Sequence, residues 1–163
     1  MKCIKTISTS LLILSLCLLG CFRSKDSKPA AADTKGSSST PAVAEHTHGT
    51  GPNGGVVFDL GSHHAEFTVE HGKQQCMILV LGDDEKTPTP IAATEFVLNT
   101  NETKTAESKV VPPMTITMKP VDATDGKTAK FVGSDPGIGN VADFAGTVSG
   151  EIDSKPAMGE FKE

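Results

Sequence analysis

From Gly54 onward the chain alternates apolar and polar residues in short runs that are separated by turns. The first two runs cover residues 56–60 and 64–70, with a Gly-Ser turn between them. Alternation with period two is typical of strands with one buried face, and a short glycine-containing turn joins such strands into a hairpin. A third run, residues 76–81, is apolar at every position, as in a central strand that is covered on both faces. This pattern predicts an antiparallel β fold.

Further runs of the same kind continue toward the C-terminus, at residues 95–99, 114–118, 129–133, 147–152 and 157–161. Residues 82–90 and 100–112 are polar and loop-like, and only residues 141–145 have the pattern of a helical turn. About seven or eight short strands without a helical period predict an all-β fold, a single antiparallel β-sandwich. One hydrophobic core is enough at this size, so we expect one β-sandwich domain over residues 51–163.

The N-terminus has the features of an export signal. Two lysines precede an apolar run from Ile7 to Leu19, and Gly20 comes directly before Cys21. Such a sequence indicates a signal peptide, here residues 1–20. The Leu-Leu-Gly-Cys sequence resembles a bacterial lipobox, which implies lipidation of Cys21 and a membrane anchor; an ordinary signal peptide or an uncleaved anchor is the alternative. By the bacterial sorting pattern, Phe22 implies the outer membrane, with the protein facing the periplasm.

Between the signal and the domain, residues 21–50 are rich in Ser, Ala, Pro, Lys and Thr. They contain almost nothing to bury, so we expect a disordered tether. Without the signal peptide the chain has 13 basic and 20 acidic residues, a formal charge of −7. An acidic chain of this kind lacks the clustered Lys and Arg that contact phosphates, so we expect no nucleic-acid partner.

All the histidines of the chain fall within 26 residues: His46, His48, His63, His64 and His71. Neutral imidazole is the commonest protein ligand for metals. In a strand His64 and Glu66 share one face, whereas His63 points to the other face unless a bulge turns it. We therefore predict a site for divalent copper, zinc or nickel formed by these five histidines and Glu66. The alternative is a set of solvated, incidental histidines.

Strand register bears on which side chains could join such a site. If the turn at residues 70–73 sets the register of the second hairpin, Glu66 faces Met77 and His64 faces Leu79. Cys76 then lies on the side of Phe67, and we expect it to be a core residue. Neither a nucleophile elbow nor the HExxH spacing is present in the sequence, so we do not expect an enzyme.

A family resemblance lies in residues 48–55, HGTGPNGG, residues 63–67, HHAEF, and residues 78–81, ILVL. They resemble small uncharacterised envelope lipoproteins of planctomycete-type bacteria. They are also similar to the His/Gly-rich N-terminal module of some periplasmic adaptor proteins of heavy-metal efflux pumps, where a histidine replaces Asn53 and a tyrosine replaces His63. The resemblance implies that the protein handles a transition metal in the envelope, with an efflux system as partner. The alternative is a structural or protein-interaction module that binds another envelope protein.

Overall fold

The alternating runs become strands throughout the part of the chain that the computed structural model describes, residues 48–163. The predicted signal peptide, the lipidation position Cys21, His46 and most of the predicted tether lie outside the described residues. The described residues form ten strands: β1 (Val56–Leu60), β2 (His63–Glu70), β3 (Gln75–Leu81), β4 (Phe96–Thr100), β5 (Thr103–Lys104), β6 (Val110–Val111), β7 (Thr115–Val121), β8 (Lys130–Ser134), β9 (Ala145–Ile152) and β10 (Lys155–Lys162).

Eight of these strands form one antiparallel sheet, in the order β1-β2-β3-β8-β7-β4-β9-β10. The sheet curls until its two edge strands, β1 and β10, meet. At this junction the Gly61 amide donates a hydrogen bond of 3.3 Å to the Met158 carbonyl. At Gly159 the two backbones are so close that a Cβ atom would lie 2.0 Å from the Asp59 carbonyl oxygen. The result is a nearly closed, barrel-like sheet. The predicted all-β, antiparallel, sandwich-like class is confirmed.

One hydrophobic core fills the inside of this sheet. Six phenylalanines are buried in it, and four of them form two pairs between different strands. Phe67 and Phe161 have ring centroids 4.2 Å apart, and Phe96 and Phe131 pack edge to face at 4.7 Å. Each aromatic pair of this kind stabilises the fold by about 1 kcal/mol, beyond the contribution of the apolar area that it buries. The pairs join β2 to β10 and β4 to β8, across the interior.

Strand β3 is covered on both faces, as its unbroken apolar run predicts. Cys76, Ile78 and Val80 belong to the main core. Leu79 and Leu81 belong to a second, smaller cluster with Val57 on the other side of the sheet. We call this side the outer face of β1–β3. On this outer face, β1 and β2 also carry the polar side chains described in the next subsection.

Two local predictions were wrong. The helical turn expected at residues 141–145 is instead a 3-10 turn at Pro136–Gly139, because proline begins it and the Asp135 carboxylate caps the Gly137 amide at 2.7 Å. The expected loop at residues 100–112 contains the short β5–β6 ribbon.

The register predicted for β2 and β3 was also wrong by two residues. Glu66 faces Leu79 and His64 faces Leu81. The connection is a 3-10 turn at His71–Lys73 followed by Gln74 in the left-handed conformation, so it is longer than a tight hairpin turn. A shift of two preserves the face of every side chain.

Residues just before position 51 also contact the rest of the fold. Thr50 already forms a bridge with Val56, and the His48 side chain is 13% exposed. Within residues 48–163, no helix is long and apolar enough to cross a membrane.

Candidate metal centre

Residues 48–55, which we call the strap, pack against the outer face of β2 before the chain enters β1. Glu66 on β2 lies beneath the strap and is fully buried. Its carboxylate accepts hydrogen bonds of 2.8 Å from the Asn53 amide, the Asn53 side chain and the Gly55 amide. A buried carboxylate with three N–H donors is well satisfied, and it ties the strap to the sheet.

The glycines of the strap permit this close contact. A Cβ atom at Gly51 would lie 2.5 Å from the Glu66 carboxyl carbon, and one at Gly55 would lie 2.1 Å from the Phe67 carbonyl oxygen. At Gly55 the obstacle is the backbone of β2, so only glycine fits there, whereas a Cβ at Gly51 would require the Glu66 side chain to move. The strap reaches the sheet at backbone distance, and this places His48 at the end of β2 where His64 lies.

The tight turn between β1 and β2 sets up the second part of the site. The two-residue connection pairs Leu60 with His63 and Asp59 with His64. Directly paired side chains lie on the same face of a sheet, here the outer face. Asp59 Oδ1 lies 3.4 Å from His64 Nε2, and Asp59 Oδ2 lies 3.5 Å from His48 Nε2. One carboxylate therefore faces both imidazoles.

The loop after β3 contributes a second carboxylate. Glu85 Oε1 lies 2.9 Å from His48 Nδ1 and 3.7 Å from His64 Nε2. The hydrogen bond from His48 is the main reason that the pKa of Glu85 lies below its usual value. The site thus contains two imidazoles and two carboxylates, drawn from the strap, β1, β2 and one loop.

The partners of each imidazole indicate which ring nitrogen carries hydrogen. His64 Nδ1 lies 3.2 Å from the Gly82 carbonyl, and His48 Nδ1 contacts the Glu85 carboxylate. A carbonyl or carboxylate oxygen can only accept, so each Nδ1 donates. In the neutral ring the lone pair is then on Nε2, and both Nε2 atoms face Asp59. Two lone pairs beside a carboxylate favour a cation among them.

The spacing of these atoms fits a metal ion. His48, Asp59 and His64 each offer one ligand atom, and the three atoms all lie within 4.8 Å of one another. Ligand atoms around a tetrahedral ion with bonds of 2.0–2.1 Å lie about 3.3 Å apart. The two nitrogen–oxygen distances in the site are close to this value. This His/Asp/His group could hold a metal ion.

The other predicted ligands lie elsewhere. Glu66 shares the outer face with His64, but its oxygens accept the hydrogen bonds of the strap. His63 faces away from His64 and lines a small pocket beside Lys155 and Pro156. His71 lies beyond the far end of β2, roughly 20 Å along the strand from His64. Its Nδ1 contacts the Ile138 carbonyl at 2.8 Å.

Two residues of the site, Asp59 and Glu85, were absent from the predicted ligands. The signal for Asp59 is in the sequence, because a two-residue turn at Gly61 and Ser62 necessarily pairs Asp59 with His64. Glu85 has no such signal. It lies in a loop and reaches the site only because Leu81 pairs with His64, which the predicted register did not contain.

Cys76 is remote from this chemistry. Its thiol is buried in the core near Met118 Sδ, at 3.7 Å. Burial and the charge of Asp135 raise the pKa of the thiol from 9.0 to about 12. A thiol of this kind stays protonated and behaves as a small apolar side chain. The prediction that Cys76 is a core residue is confirmed.

Comparisons with known proteins found no match for this chain. No protein-family model matches the chain, and neither a curated protein nor a solved structure matches it.

Proposed function

We propose that the protein reversibly binds a divalent transition metal through His48, Asp59 and His64. The observation that carries this proposal is that two imidazole Nε2 atoms and one carboxylate converge from three separate segments of the chain. Mixed nitrogen and oxygen donors suit zinc(II), copper(II) and nickel(II). Calcium and magnesium prefer oxygen ligands alone, and copper(I) prefers sulfur.

Partial exposure of the site supports a binding or buffering role. The side chains of His48 and His64 are 13% and 22% exposed, whereas that of Asp59 is 46% exposed. Solvent therefore reaches Asp59 and, to a lesser degree, both imidazoles, which supports entry and exit of an ion without unfolding. We propose a non-catalytic protein that buffers the metal or passes it to a partner.

The location of the protein is a separate proposal that rests on the sequence of the leader. The apolar run before Cys21 supports export, and the Leu-Leu-Gly-Cys sequence supports a lipid anchor in the outer membrane. An envelope protein or an efflux system is then the expected partner. A Cys21→Ala variant should fail to incorporate a palmitate analogue in a bacterial host, and persistent labelling would exclude the anchor.

Thermal unfolding tests the metal-binding proposal. A ligand that binds only the folded state at a hundredfold excess over its Kd stabilises that state by about 2.7 kcal/mol, which corresponds to a rise in Tm of roughly 10 °C for a domain of this size. We expect this rise with zinc(II), copper(II) or nickel(II), and none with magnesium(II). If all these ions leave Tm unchanged, the metal proposal is wrong and the protein-interaction module becomes the working hypothesis.

A further inference from the structure

The loop at residues 82–87 contacts both histidines of the candidate site through their Nδ1 atoms. The Gly82 carbonyl accepts from His64, and the Glu85 carboxylate accepts from His48. These two acceptors therefore select, for each ring, the tautomer whose Nε2 lone pair faces Asp59. A different tautomer would turn an N–H group toward the position of the ion and exclude the ion.

The loop itself is firmly built. The Gly82 amide donates to the Thr87 carbonyl at 3.0 Å, and the Glu85 amide donates to the Gly82 carbonyl at 3.0 Å. The Asp84 carboxylate accepts from the Lys86 and Thr87 amides at 3.0 and 2.8 Å. The Gly82 carbonyl thus receives both the Glu85 amide and the His64 ring, which couples the loop geometry to the site.

Glu85 occupies a backbone conformation that glutamate seldom adopts. Its φ is 58°, in the left-handed region where glycine or asparagine is the usual residue. Strained positions that are kept despite their cost are found preferentially at functional sites. Here the strained residue is also the one whose side chain reaches His48.

We propose that Glu85 is a positioning residue of the metal centre, which orients His48 through Nδ1 and leaves metal ligation to His48, Asp59 and His64. This proposal rests on the metal-binding function proposed above. It predicts that the hydrogen-bond acceptor at position 85 is needed, while its negative charge is not.

Two substitutions and a control separate the possibilities. Glu85→Gln keeps an acceptor oxygen for His48, whereas Glu85→Gly removes it and relieves the backbone strain. Asp83→Ala is the control, because Asp83 is an exposed residue of the same loop. Since glycine suits the left-handed conformation, Glu85→Gly should not lower the Tm of the metal-free protein.

The first readout is the tautomer of each ring, taken from the imidazole ¹⁵N and ¹H shifts of the metal-free, full-length protein in mildly basic buffer. We expect the Nδ1–H form at His48 and His64 in the unsubstituted protein and in Glu85→Gln. In Glu85→Gly this preference should be lost at His48 and kept at His64, since the Gly82 carbonyl remains. An Nε2–H form at His48 in the unsubstituted protein would overturn the proposal.

The second readout is the Kd for zinc(II), measured against a competing chelator. Loss of an orienting partner of a histidine ligand typically weakens metal binding about 10- to 100-fold, and we expect this for Glu85→Gly. Glu85→Gln and Asp83→Ala should stay within about threefold of the unsubstituted protein, well below that effect. Equal weakening by Glu85→Gln and Glu85→Gly would show that Glu85 acts through its charge as a ligand, and unchanged binding in Glu85→Gly would show that it has no role.

The two readouts also separate this proposal from the proposed function. If the unsubstituted protein binds no zinc(II) but shows the Nδ1–H form at His48 and loses it in Glu85→Gly, the metal function fails and the orienting contact stands. If zinc(II) binds while the tautomers ignore Glu85, the positioning role fails alone.

Discussion

Asp59 and Glu66 are carboxylates on the same outer face of one hairpin, yet their surroundings give them different roles. Glu66 is buried under the strap, and backbone and side-chain N–H groups occupy its oxygens. Asp59 is half-exposed, and its oxygens face the Nε2 atoms of two histidines. The groups around a carboxylate therefore decide whether its oxygens hold another segment in place or remain accessible to an ion.

The comparison also explains how the two regions depend on each other. Glu66 holds the strap, and the strap carries His48 to Asp59. The first carboxylate contributes to the stability of the fold, and the second is available for binding. Substitutions that affect only one of these properties test the division directly.

The largest effect is expected from Asp59→Ala. A ligand of a zinc site contributes on the order of 3–4 kcal/mol, so the Kd for zinc(II) should rise roughly 100- to 1,000-fold. Because Asp59 is half-exposed, the free energy of unfolding of the metal-free protein should change by no more than about 0.5 kcal/mol. Chelator competition and urea unfolding measure the two quantities. Unchanged zinc affinity would remove Asp59 from the site.

Gly55→Ala tests the close packing of the strap. The added Cβ would lie 2.1 Å from the Phe67 carbonyl oxygen, so the strap must move away from β2. We expect a loss of about 3 kcal/mol in the free energy of unfolding, measured in urea. Gly49→Ala is the matched control, because nothing lies within 4 Å of a Cβ atom there. Equal stability of the two variants would contradict the packing described for the strap.

Glu66→Gln tests the fastening role. Glutamine presents an N–H group where Glu66 now accepts, so one of the three donors loses its partner. This should cost about 2 kcal/mol of the free energy of unfolding. Zinc(II) should still bind with one ion per chain, because the proposed ligands are His48, Asp59 and His64. A variant with unchanged stability that no longer binds zinc(II) would reverse the assignment.

The smallest effect at neutral pH concerns Cys76, which lies outside both regions. Its pKa is raised from 9.0 to about 12, so between these values the unfolded chain loses a proton that the folded protein keeps. Stability from this group is complete below pH 9.0 and falls as pH rises, by up to about 1.4 kcal/mol per pH unit. Unfolding of Cys76→Ala should depend less steeply on pH over this range. Identical pH dependence would show that the thiol is not shielded.

The fold could be predicted because its evidence is local. Period-two alternation marks each long strand, and the apolar run of β3 marks a strand covered on both faces. The register of β2 and β3 could not be predicted in the same way. It depends on Gln74 adopting a left-handed conformation after the 3-10 turn, and nothing in a glutamine indicates that.

The candidate site could be predicted only in part. Clustering of histidines pointed to His48 and His64, but composition alone cannot separate them from His63 and His71. The difference arises from the face of β2 on which each lies and from the strap that brings His48 to the sheet. Glu66 matched the pattern of a ligand, and its role became clear only with the donors of the strap above it. His46 stays a prediction.

The most direct test compares two double variants of the full-length protein, each lacking two histidines, by calorimetric titration with zinc(II). We predict that His48→Ala/His64→Ala abolishes binding, whereas His63→Ala/His71→Ala binds one ion per chain with a Kd within about threefold of the unsubstituted protein, or about 0.7 kcal/mol. Equal loss of binding in both variants, or equal retention, would contradict a metal centre at His48, Asp59 and His64.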